Sequence, residues 1–104
     1  MTLQQFENNL KAVCPETYEL AAPQGAKRYV VWHRYGASSS FGDDRNVLDL
    51  PKVQLDIITN VEHDMLVDEI CAALWEMDLT YSIQSEGYDP DYNAYRTILQ
   101  LAVV

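Results

Sequence analysis

From Pro51 to the C-terminus the hydrophobic period of this chain changes twice, and that succession of periods limits the folds open to it. Val53, Leu55 and Ile57 alternate with Lys52, Gln54 and Asp56, a two-residue repeat that buries one face of a strand. Ile58 breaks the alternation near its end. Leu66, Ile70, Ala73, Leu74 and Met77 then recur at helical steps, the core stripe of an amphipathic helix. Thr59 or Asn60 is placed to cap that helix, with Glu62 and Asp64 in a first turn where the helix dipole favours carboxylates. Leu79 to Ile83 starts a hairpin strand, and Tyr95 to Val104 returns. The hairpin turns around Gly87-Tyr88-Asp89-Pro90-Asp91-Tyr92.

The first half supplies the remaining elements. Thr2 and Gln5 fit a capping box, and Leu3, Phe6, Leu10 and Val13 share one helical face. Pro15 stops this helix, because proline donates no backbone bond and disfavours helical geometry before it. Tyr18 to Ala21 reads as a short strand. Lys27 to Tyr35, with Tyr29-Val30-Val31-Trp32 at its centre, reads as a stronger one. The polar connection from Gly36 to Asn46 holds a single aromatic, Phe41, and is expected to order only against a partner. The predicted order is α-β-β-β-α-β-β over one domain spanning residues 1–104, a length that supports one core and not two. The fold class is α+β: a mostly antiparallel sheet with both helices on one face. Leu3, Phe6 and Leu10 pack from the first helix, and Leu66, Ile70, Leu74 and Met77 from the second.

The charge is segregated. Residues 1–52 hold six basic and six acidic side chains, whereas residues 53–104 hold ten acidic ones and only Arg96. The net charge of −9 argues against a nucleic-acid binder, which gains affinity by neutralising phosphates, and against docking on an anionic membrane. No apolar run approaches the roughly 20 residues of a membrane span. The first residues lack the basic and apolar regions of a signal peptide, so an intracellular soluble protein is expected. A solubilising acidic surface accounts for the charge most simply. Segregation of this kind also suits copies packed head to tail, the balanced half of one against the acidic half of the next.

Catalytic and metal-binding patterns fail one by one. His33 and His63 are the only histidines, with no spacing that converges three or four ligands. Cys14 and Cys71 fit two free thiols, and nothing positions Cys71 beside a histidine as a nucleophile–base pair. Asp89-x-Asp91-x-Asn93 resembles the start of a calcium loop, but Ala94 stands where a glycine is needed and Gln100 where a bidentate glutamate is needed. A turn is the better reading. No enzyme activity, metal or cofactor is expected. Trp75 is out of phase with the second helix's core stripe and shares its face with Asp64 and Asp68, with Cys71 beside them. Either it lies on the surface or under another element, or it is a subunit contact, a setting in which tryptophan is enriched. The candidate interface set is Trp75, Asp68, Asp64 and Phe41, with Arg28 and Arg45 of another copy as counter-charges.

The succession of elements resembles the tail-completion, or tail-terminator, proteins of long-tailed bacteriophages and prophages. The residues that carry the likeness are Val31-Trp32, Val53 to Ile57, Asp64 with Leu66, Ile70 and Leu74, Tyr88-Asp89, and Tyr95-Arg96. The resemblance implies an α+β domain that assembles as a ring, usually of six copies, at the junction of head connector and tail tube. Such a ring stops tube growth, contacts tube and connector proteins, and lets genome DNA pass without specific binding. It implies a virion tail or neck location, with host cytoplasm during assembly. The chain departs from the pattern in its acidic second half. An acidic inhibitor or DNA mimic that binds a basic partner is the alternative from a different class.

Overall fold

A computed structural model describes residues 1–38 and 50–104. Helix α1 (Leu3–Val13) starts where the capping box places it: the Gln5 amide donates to Thr2 Oγ1 at 3.0 Å, and the Thr2 amide donates to Gln5 Oε1 at 2.8 Å. It ends at Cys14, one residue before Pro15. After it come β1 (Thr17–Glu19), β2 (Tyr29–Ser38), β3 (Leu50–Thr59), α2 (Met65–Glu76), β4 (Tyr81–Asp89) and β5 (Ala94–Ala102). The strands lie in the order β1-β2-β3-β5-β4, with β1 parallel to β2 and the other neighbours antiparallel. The chain is therefore an α+β domain with the expected order of elements.

Both helices pack on one face of the sheet. Phe6 and Leu10 of α1 and Leu66, Ile70 and Leu74 of α2 join Val30, Trp32, Val53, Leu55, Ile57, Leu99 and Leu101 in one core. Trp32 meets the edge of Phe6 at 5.9 Å between ring centroids. Its indole N–H donates to Glu7 Oε2 at 2.9 Å, which satisfies the one polar atom this side chain takes inside.

Several boundaries differ from expectation: β1 ends at Glu19, β2 begins at Tyr29, and β4 runs from Tyr81 through Gly87 and Tyr88 to Asp89, which moves the hairpin turn to residues 90–93. Two further differences have a tertiary reason. Gly36, Ala37 and Ser38, taken from the sequence as the start of a loop, extend β2 because they pair with Lys52, Pro51 and Leu50. The rest of that connection, including Phe41 and Arg45, lies outside the described residues. Helix α2 starts at Met65 with Asp64 as its N-cap, not at Thr59 or Asn60. Before it the chain turns through His63, whose φ of 55° is a left-handed conformation that interrupts a helix.

The outer face of the sheet is held by polar contacts. Asp56, expected to point to solvent, is only 8% exposed. Arg96, reaching diagonally from β5, donates to its Oδ2 from Nη2 at 2.6 Å and from Nε at 3.1 Å. Arg96 also donates to Asp89 at 3.2 Å and lies 4.6 Å from the centre of the Tyr92 ring.

Candidate interaction surface

Asp64 sits where several groups converge. It caps α2 by accepting from the Leu66 amide at 2.9 Å, and it accepts the Thr59 hydroxyl proton at 2.6 Å. Arg28 then grips both carboxylate oxygens, Nε to Oδ2 at 2.7 Å and Nη2 to Oδ1 at 2.8 Å. The Arg28 guanidinium holds the Asp64 carboxyl well below the usual carboxylate range, and the same pair raises Arg28 further above its ordinary value. The two residues expected from the sequence to meet between copies thus meet within one chain. They neutralise one another inside one chain and tie the start of β2 to the start of α2, because a fork of guanidinium donors matches a carboxylate held rigid by a helix cap.

Trp75 stands on the opposite side of α2 from Leu66, Ile70 and Leu74 and is 78% exposed. Among the described residues no element covers it, so helical phase placed it correctly. Asp68, in the first turn of α2, is exposed as well. These residues overlook β4, the edge strand of the sheet, whose residues from Ser82 to Tyr88 are all exposed. The helices leave this strand open, and two hollows mark the seam between α2 and β4. One, of about 530 Å³, has Val67, Asp68, Glu86, Tyr88, Tyr95 and Thr97 among its walls. The other, of about 340 Å³, is walled by Trp75 and by Asp78 to Tyr81.

Register explains which β4 side chains line the seam. Tyr81 and Ile83 stand opposite Leu101 and Leu99, which face the helices. The pairing then slips between Ile83 and Ser85, so Gln84 is bulged out. Glu86 and Tyr88 consequently fall opposite Thr97 and Tyr95, on that same side. Tyr88 and Tyr95 meet edge to face at 5.4 Å, and Tyr95 donates to Glu62 at 3.2 Å. Glu62 pushes the Tyr95 phenol up from its ordinary value, and a hydrogen bond with Cys71 does the same to Tyr81. Among the described residues, Asp68, Asp78 and Glu86 make no ion pair.

Of the candidate set, the structure brings Trp75 and Asp68 to this seam. It pairs Asp64 with Arg28 at its margin and describes neither Phe41 nor Arg45. Sequence reasoning missed Ile83, Glu86 and Tyr88. The available signal was an amphipathic strand without a lysine or proline to guard an edge, but the bulge that aligns its two halves leaves no mark in the sequence. Among the described residues no three His, Cys, Asp or Glu side chains gather to hold a metal ion. Among them, too, no helix is long and apolar enough to cross a membrane. The arrangement presents apolar and aromatic surface, a strand edge and carboxylates that make no ion pair among the described residues. Neither a scan against models of protein families nor a search of curated proteins gives a match to this chain.

Proposed function

We propose that this chain is a structural component of a phage tail, a terminator or completion protein whose copies form a ring at the head–tail junction. The ring, of six copies as is usual for the proteins it resembles, caps the tail tube and presents a surface for head attachment. The observation that carries the reading is the uncovered seam between α2 and β4. A domain whose core is otherwise closed leaves Trp75, Ile83 and Tyr88 in water beside an open strand edge, surface that a subunit or tube contact would bury.

The sheet order supports the assembly as well. It sets β1 and β2, with Lys27 and Arg34 on or just before β2, toward one edge, and the acidic β4 at the other. Each copy thus carries two unlike sides, as a ring closed by heterologous contacts requires. Arg96, the second half's single cation, is held by Asp56 and Asp89. That half therefore offers no free guanidinium to a passing duplex, which favours transit of DNA without retention. Electron microscopy of the protein mixed with its tube protein tests the reading: a terminal ring on tubes of arrested length is expected. Tubes that keep growing, with no terminal density, would reject it.

A further inference from the structure

The α2–β4 seam also indicates what kind of neighbour fills it. We infer that β4 accepts, as a sixth strand, an extended segment of a different protein in which apolar and basic side chains alternate. The inference rests on the assembly reading above and names the chemistry of the partner at that site.

Three observations combine. First, β4 is an edge strand in which Tyr81 to Asp89 contains neither lysine nor proline, its one irregularity is the bulge at Gln84, and its residues from Ser82 to Tyr88 are exposed. Such an edge presents unpaired backbone donors and acceptors to an incoming strand. Second, apolar surface recurs beside it: exposed Trp75 walls one hollow, exposed Tyr88 the other, and exposed Ile83 lies on the helix side of the strand, opposite Leu99. Every second side chain of an added strand would point into this side, and apolar ones would find cover there. Third, the remaining groups on the seam are carboxylates, Asp68 and Glu86, which among the described residues have no cationic partner. Lysine or arginine side chains leaning over the seam would meet them.

Charge also decides against a second copy as the occupant. The other outer strand of this sheet, Thr17–Glu19, carries Glu19 and follows Glu16, and a second β4 would bring another Glu86. As the strand added to β4, either of this chain's own outer strands would bring further carboxylate to an edge that already carries Glu86 and supply no lysine or arginine of its own, whatever contacts copies make elsewhere on their sides. A basic segment from another polypeptide removes that conflict.

The test uses the full chain and fluorescein-labelled peptides the length of β4, nine residues, followed by anisotropy. One peptide alternates valine with lysine. A second has the same charge but carries proline in place of valine, and a third alternates valine with glutamate. The valine–lysine peptide is expected to bind at least about tenfold more tightly than either control, because only it joins strand geometry to the complementary charge. Trp75→Ala and Glu86→Lys, both at exposed positions, should each weaken it severalfold while leaving the circular dichroism spectrum unchanged. Binding no tighter than that of the proline peptide would reduce the effect to bulk charge and overturn the inference. So would absence of binding, or binding indifferent to both substitutions. Self-association of the chain that Ile83→Lys abolishes would give the edge to a second copy and overturn it too. Failure of the ring reading shows separately, as tubes without a terminal ring although the peptide still binds.

Discussion

Asp64 offers the sharpest test of how this fold is held, because three replacements separate its roles. Asp64→Ala removes the N-cap of α2, which costs about 1 kcal/mol. It also leaves the buried Thr59 hydroxyl without its acceptor, about another 1 kcal/mol. The ion pair adds less. The Arg28 side chain is 47% exposed, so solvent screens the interaction and the pair contributes about 0.5 kcal/mol. The sum, about 2.5 kcal/mol, corresponds to a fall in Tm of roughly 10–20 °C for a domain of this size. Asp64→Asn keeps a competent cap and should cost well under half of that. Arg28→Ala loses only the screened pair and should cost least. Thermal unfolding followed by circular dichroism should rank the damage as Asp64→Ala, then Asp64→Asn, then Arg28→Ala. If Arg28→Ala were as damaging as Asp64→Ala, the guanidinium and not the cap would organise this corner. If all three variants melted like the parent yet failed to assemble, the two residues would belong to a partner contact after all.

Further expectations follow from the same geometry. Trp75→Ala should change stability by no more than about 0.5 kcal/mol, since the side chain is exposed, while impairing tail completion in a complementation assay; a destabilised monomer with normal assembly would refute this. Phe6→Ala empties the α1 side of the core against Trp32 and should cost about 3–5 kcal/mol in denaturant unfolding; a shift under about 1 kcal/mol would show that α1 docks weakly. The depressed Asp64 carboxyl sets a sign for acid unfolding. Its contribution is complete above the unfolded value near pH ~4 and is lost as pH falls toward the folded value, so Asp64→Asn should flatten that part of the stability profile, and an unchanged profile would count against the ion pair. Cys14 is buried and its thiol pushed up by that burial, whereas Cys71 is partly exposed and both are free. A thiol reagent should therefore modify Cys71 first and Cys14 only on unfolding.

The parts of this fold legible in the sequence are those set by local periodicity and local caps. Thr2 and Gln5 fixed the start of α1 because both halves of a capping box lie within one turn. Val53, Leu55 and Ile57 located β3, and the phase of Leu66, Ile70 and Leu74 put Trp75 outside. What escaped depends on residues distant in the chain. Asp64 prevails over Thr59 and Asn60 as the cap with Arg28 bound to it, a partner 36 positions away. Asp56 reads as a solvent-facing strand residue until Arg96, 40 positions on, closes over it. The end of β2 passes for loop because only its pairing with Leu50 to Lys52 makes it a strand. At the seam, Trp75 and Asp68 were within reach of helical phase, while Ile83, Glu86 and Tyr88 required the register of β4.

That register has a consequence for anyone altering β4. Ahead of Gln84 the seam takes odd-numbered positions, and after it the seam takes even-numbered ones. A substitution scan along the strand should thus show a two-residue rhythm that skips one beat at Gln84. Deleting Gln84 would leave Tyr81, Ile83, Glu86 and Tyr88 on their side, since only the surplus residue of the bulge goes. Drawing Gln84 into the ladder would do the reverse. Ser85 and Gly87 would turn toward the seam while Glu86 and Tyr88 swung away, so the adhesive side would lose its ring and its carboxylate together without either residue being replaced. A single surplus position works here as a frame setting, and the surface is encoded by that frame as much as by the side chains it displays.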